Sequence, residues 1–287
     1  MNINKLTLSS SEFPEVLRQI PGPPKALYHK GAPLNGLLKR PCLAIVGSRS
    51  VSAYGRQVTS RLAGQLAEQG VVIVSGLALG VDCIAHRAAL EAGGLAIAVL
   101  PGPLDRIVPA TNYRLAELIL ANGGALVSEY DSGTPTQKQN FIARNRLMSG
   151  LAQALLITEA VEKSGSLHTA NFALQQGREV LAVPGSIFSS GSIGTHNLLK
   201  AGAVPVTSYL DVMHVLGFEA HVTPIHAIKG RNTHEQTVLD LLMHGISGGD
   251  ELLDQSRLSA SQFNQVLTML ELGGKIRPLG ANQWGLS

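Results

Sequence analysis

The chain has 287 residues, of which 45% are apolar and only 15% charged, with a formal net charge of +3. This composition excludes a disordered chain and predicts one large domain with a smaller companion, while the slight positive charge permits an anionic partner without demanding one. No apolar run reaches the roughly 18 uncharged residues of a membrane span, the N-terminus lacks the pattern of a signal peptide, and Cys42 and Cys83 make no disulfide framework, so a soluble, cytoplasmic protein is expected.

Residues 8–20 predict a short helix capped by Ser10 or Ser11, with Phe13, Val16, Leu17 and Ile20 on one face. The Pro-rich residues 21–41 read as an extended connector. From residue 42 onward, apolar runs alternate with amphipathic stretches. Strands are expected at 42–47, 71–76, 95–102, 125–129, 153–158 and 179–183. Helices are expected at 54–70, 80–94, 112–122, 138–150, 166–176, 192–201 and 208–216. Continuous apolar strands separated by helices mean a parallel sheet covered on both faces. Residues 42–216 are therefore assigned to an α/β, doubly wound, Rossmann-like domain. Residues 217–232 read as a linker. Residues 233–287 carry three helical stretches, the first capped by Thr233, and two short strands around a Gly-Ala-Asn turn, which is the pattern of a small C-terminal winged-helix domain.

The chemistry is concentrated where the strands end. Small-residue turns follow the first strand (Gly47, Ser48, Arg49), the second (Ser75 to Gly80), the fifth (Ser164, Gly165, Ser166) and the sixth (Pro184, Gly185, Ser186). In an open parallel sheet these turns meet at the carboxyl edge, where Gly and Ser let the backbone approach a phosphate and helix N-termini offer free N–H groups. Arg49 adds a planar fork suited to phosphate. A second concentration is KQNFIARNR, which places Lys138, Phe141, Arg144, Asn145 and Arg146 at the start of one helix. Cations are electrostatically awkward at a helix N-terminus, so two readings stand: phosphate contacts with Phe141 stacking a base, or solvated cations with Phe141 in the core. One of the two arginines is expected to pair with an internal carboxylate such as Glu129 or Glu159.

Several functions lack their motifs. There is no G-x-G-x-x-G after the first strand and no P-loop, which argues against nicotinamide redox chemistry and P-loop ATP hydrolysis. Cys83 and His86 form a single C-x-x-H pair, too little for zinc. Ser164, Ser166 and His168 lie close together without a nucleophile elbow. No catalytic residue, metal site or cofactor is therefore assigned. The winged-helix stretch has few cations, Arg257, Lys275 and Arg277 among them, so DNA and protein remain equal readings of its partner.

The stretches IVGSRSVSAYG, SGLALGVDCIAHRAAL, FIARNRLMSGLAQALLITEAVEKSGSLHTANFAL, GREVLAVPGSI and HNLLKAGA together resemble the DprA/Smf family of DNA-processing proteins. The resemblance implies a Rossmann-like core that binds single-stranded DNA without sequence preference, forms a homodimer and loads the RecA recombinase. The family's Gly-Ser-Arg contact falls on Gly47, Ser48 and Arg49, its lysine and aromatic contacts on Lys138 and Phe141, and its R-N-R arginines on Arg144 and Arg146. Ile142 stands where the family often has Pro, and His168 and His196 also depart from the usual pattern. The alternative is a nucleotide-binding protein or a nucleoside monophosphate hydrolase of the LOG type, whose P-G-G-x-G-T-x-x-E signature would fall near Ser164 to Thr169 but lacks its Glu here. The apolar stretch 201–218 reads as a dimer surface or as an edge of the core.

Overall fold

The computed structural model describes residues 2–218, 230–280 and 282–286, and the chain divides into two compact units, Met1–Ala220 and His221–Ser287. In chain order the first unit contains β1 (Asn4–Thr7), α1 (Glu15–Arg18), β2 (Ala26–Gly31), α2 (Leu34–Leu37), β3 (Cys42–Val46) and α3 (Ala53–Glu68). It continues through β4 (Val72–Ser75), α4 (Val81–Glu91), β5 (Ala96–Leu100), α5 (Tyr113–Ala121), β6 (Ala125–Ser128) and α6 (Lys138–Gly150). It ends with β7 (Ala154–Ile157), α7 (Ser166–Gln175), β8 (Glu179–Ala182), α8 (Ile193–Lys200), β9 (Val204–Pro205) and α9 (Tyr209–Val215).

These strands form one sheet in the order β1-β2-β6-β5-β4-β3-β7-β8-β9. From β6 to β9 every pair is parallel, for example Val46 opposite Ile157 and Ile157 opposite Ala182. Because side chains alternate along a strand, each strand feeds two cores. In β3, Cys42, Ala44 and Val46 join Leu17, Leu147, Met148 and Ala170 from α1, α6 and α7 on one face. Leu43 and Ile45 join Leu62, Leu66 and Ala85 from α3 and α4 on the other. Leu115 and Ile119 of α5 close a third cluster over β5 and β6.

The N-terminal segment departs from the expected helix and connector. The helix shrinks to Glu15–Arg18, and residues on either side supply β1 and β2, which extend the sheet antiparallel through Leu6 opposite Leu27 and Tyr28 opposite Ser128. Only Leu6 is buried in β1, so this edge strand has no apolar run to announce it. The stretch 201–218 contributes to the core edge: Val206, Val212 and Met213 are buried beside Leu181 and Val183.

The second unit holds α10 (Thr233–Met243), α11 (Gly249–Ser256), α12 (Ala260–Leu272), β10 (Ile276–Gly280) and β11 (Gln283–Leu286). Three helices and an antiparallel hairpin enclose Leu239, Leu252, Phe263 and Leu270, a winged-helix arrangement. The cap of α10 is Asn232, whose side chain accepts the Glu235 N–H at 2.9 Å, and Thr233 is instead the first helical residue. Of the expected linker, residues 219–229 lie outside the described residues. Among the described residues, no helix is long and apolar enough to cross a membrane.

Candidate nucleic-acid interface

From β3 the chain winds outward through β4, β5 and β6, then crosses back so that β7 lies on the other side of β3. The turns after β3 and β7 therefore diverge, and this reversal point opens a crevice at the carboxyl edge of the sheet. A cavity of about 530 Å³ occupies it. The β3–α3 turn gives it Gly47, Ser48 and Arg49, and the turn into α7 gives Ser164, Gly165 and Ser166. Helix α6 gives Phe141, Arg144 and Asn145.

The β3–α3 turn is fixed by its own polar groups. The Ser48 N–H donates to the Glu159 carbonyl at 2.8 Å, and its carbonyl accepts from Val81 N–H at 3.1 Å. Its hydroxyl donates to the Ser50 carbonyl at 3.0 Å. Ser48 thus shapes the turn, and Gly47 must be small, since a Cβ there would sit 2.7 Å from the Glu159 carbonyl and from the Val81 side chain. Arg49, exposed, is held over the Phe141 ring with its guanidinium carbon 5.3 Å from the ring centre. Such a contact leaves the guanidinium edge able to donate to a ligand, and both residues line the cavity. Across the cavity, Ser164 and Ser166 share a hydroxyl hydrogen bond of 2.7 Å at the start of α7, and Asn145 Nδ2 reaches the Gly165 carbonyl at 3.5 Å.

The floor is a buried charge cluster. Arg144, 3% exposed, donates to the carbonyl of Gly76 at 2.7 Å and to that of Val99, the ends of β4 and β5. Gly76 makes this possible, because a Cβ there would lie 2.0 Å from Arg144 Nη1. Asp82, 5% exposed, also lines the cavity and accepts the Gly76 N–H at 3.1 Å. Burial pushes the Asp82 carboxyl up and the nearby Arg144 pulls it back. Burial lowers Arg144 to about 10, so it remains a cation at neutral pH. Asp82 and the buried Thr169 are site residues the sequence reading missed. The available signal for Asp82 was a carboxylate in the first turn of a helix at the carboxyl edge of the sheet.

Two expected residues do not line the cavity. Lys138 is exposed at the first position of α6. Arg146 is engaged elsewhere: it bridges to Glu129 at 2.7 Å and donates to the Gly22 carbonyl at 2.9 Å. Glu129 is thus the carboxylate that pairs with an arginine. Glu159 instead accepts the Ser52 N–H at 3.0 Å, and the Ser52 hydroxyl, at the start of α3. Of the turn after β4, Ala78 reaches the cavity, while Gly80 (φ +79°) packs against the carbonyl of Ser48. The turn after β8 does not line it. Burial pushes the Cys42 thiol up to about 12, and among the described residues no three His, Cys, Asp or Glu side chains are grouped to hold a metal ion. In the second unit, α12 carries no Lys or Arg.

A family model for DNA recombination-mediator protein A matches residues 4–217, and one for the DprA winged-helix domain matches residues 225–282. The chain is 48% identical over 182 residues to protein Smf of Escherichia coli, covering 63% of this chain and 49% of that protein, so it spans about half of that relative's length. It is 41% identical to DNA processing protein DprA of Bacillus subtilis, covering 75% and 71%. The structure of DNA processing protein A from Streptococcus pneumoniae superposes with a TM-score of 0.69 at 39% identity, over 77% of this chain and 76% of that one. That of DNA processing protein A from Helicobacter pylori, solved for its single-stranded DNA binding mode, superposes with a TM-score of 0.66 at 36% identity, over 74% and 95%. The chain belongs to the DNA recombination-mediator protein A family, the DprA/Smf proteins.

Proposed function

We propose that this protein binds single-stranded DNA without regard to sequence, protects it and passes it to the RecA recombinase, acting as a cytoplasmic homodimer by binding alone. The observation that carries the reading is Arg49 held over Phe141 at the cavity that the reversal of strand order opens. A phosphate-seeking fork beside an aromatic face suits a strand whose bases are unpaired, and stacking accepts every base. The Ser164-Gly165-Ser166 turn at the start of α7 adds small residues and a helix N-terminus on the opposite wall. The relative from Helicobacter pylori, which binds single-stranded DNA, supports the ligand class.

The test is titration of a labelled single strand of ~30 nucleotides with the wild type and Arg49→Ala. The variant should bind ~5- to 150-fold more weakly, the equivalent of ~1–3 kcal/mol for a lost charge-assisted hydrogen bond. A wild-type affinity would remove Arg49 from the site. The second step is tested by RecA assembly on the strand, which the wild type should accelerate and Arg49→Ala should not.

A further inference from the structure

We propose that the turn between β8 and α8 carries a second base-stacking platform, with Phe188 as its ring, that continues the DNA track out of the crevice. This rests on the reading of the crevice as a single-strand site. Phe188 is 93% exposed and its neighbour Ile187 80% exposed. Two adjacent large apolar side chains turned outward mark a contact surface better than a single one does.

The turn that presents them is ordered. The Ser189 N–H donates to the Ser186 carbonyl at 3.0 Å and the Phe188 N–H to the Ser186 hydroxyl at 3.3 Å. Its base is pinned by the Tyr54 hydroxyl, which donates to the Pro184 carbonyl at 2.7 Å, and by a 3.0 Å bond between His196 Nε2 and the Gly185 carbonyl. The backbone that carries Phe188 is thus fixed, which confines the ordering cost of binding to the side chain itself.

The same backbone segment ties this turn to the crevice. The Glu159 carbonyl holds Ser48, while the Ala160 N–H donates to the Gly191 carbonyl at 2.9 Å and the Ala160 carbonyl accepts from Gly194 N–H at 2.8 Å. β8 lies two strands from β3, roughly 10 Å at the usual strand spacing. Tyr54, whose hydroxyl binds this turn, is half exposed, and Arg49 after β3 and Lys163 after β7, the strand between β3 and β8, are exposed with no ion pair among the described residues. Exposed rings and cations without ion pairs on the loops of neighbouring strands fit an unpaired nucleic acid strand, with bases on the rings and phosphates on the cations. The shared 159–160 backbone segment and the positive charge of Arg49 and Lys163 favour DNA as the occupant over a protein.

The experiment titrates the full chain with oligothymidylates from the shortest that binds to ~30 nucleotides, using wild type, Phe188→Ala, Phe188→Trp and Arg49→Ala. Phe188→Ala should leave the shortest oligonucleotide unaffected and weaken the longest by about tenfold, within the range for one lost base stack. Phe188→Trp should restore the long-strand affinity, with its added fluorescence quenched by long strands only. Wild-type affinity of Phe188→Ala at every length, with Arg49→Ala weak throughout, overturns the platform and leaves the crevice reading standing. Wild-type affinity of Arg49→Ala at every length overturns the crevice reading, and the platform with it. A Phe188→Ala protein with unchanged DNA affinity but altered sedimentation mass overturns the platform by assigning the turn to contact between copies.

Discussion

At the level of single residues, Arg144 decides the shape of the crevice. Its guanidinium closes off the carbonyls of Gly76 and Val99 and balances the charge of Asp82, which burial would otherwise disfavour. Removing one partner of such a buried cluster strands the other. Gly76→Ala pushes a methyl into the guanidinium and should destabilise the fold by about 1–3 kcal/mol, read as a lower urea midpoint with an unchanged slope; an unchanged midpoint would mean that Arg144 adapts freely. Arg146→Ala breaks a half-buried ion pair with Glu129 and should cost about 1 kcal/mol of stability. It should leave the affinity for single-stranded DNA within twofold of wild type, whereas a loss matching that of Arg49→Ala would place Arg146 on the strand. The sequence brings these two arginines to one helix but does not say which points where. Residues two apart on a helix face roughly 200° apart, so they serve different surroundings. Asp82 was invisible for a related reason: an acidic residue in a first helical turn has an ordinary explanation in the helix dipole.

At the level of elements, legibility followed burial. The parallel strands are buried on both faces and read as unbroken apolar runs such as CLAIV and VIVS. β1 buries only Leu6, and β2 only the short run Leu27 to His29, too brief to stand out between Pro24 and Pro33, so no periodicity marks them. The turn after β8 had the same composition as those lining the crevice, and only the strand order places it elsewhere. Helix α4 is buried almost all round and carries His86, fully buried. Burial, and to a smaller degree the Arg144 charge, lowers this imidazole from 6.5 to about 3. The unfolded chain protonates His86 near 6.5 and the folded chain does not. The stability it contributes is therefore complete above pH 6.5 and drains away as pH falls toward 3, by up to about 1.4 kcal/mol per unit. Asp82, raised by burial, acts in the opposite direction at the acid end. His86→Gln should flatten the decline between pH 6.5 and 4, measured as the difference in unfolding free energy from wild type at each pH. A difference independent of pH would mean that His86 titrates normally in the fold.

At the level of the whole molecule, the net charge of +3 is too small to attract DNA by itself. The proposed binding must therefore depend on where individual cations sit, and Arg49 sits exposed at the reversal point of the sheet. The second unit does not add a basic recognition helix, since α12 carries no Lys or Arg. The fold class and this crevice were readable because both follow from strand order and turn composition. Which side chains face the cavity was not, since that depends on helix rotation and on internal ion pairs such as Arg146 with Glu129. The most direct measurement is the affinity for a single strand and for the same sequence as duplex, each at ~50 and ~200 mM salt. A strand bound at the crevice should be preferred over duplex and lose about tenfold or more in affinity across that range, as a few phosphate contacts release counterions, with a shallower slope in Arg49→Ala. Equal affinity for the two forms, or binding indifferent to salt, would contradict binding there.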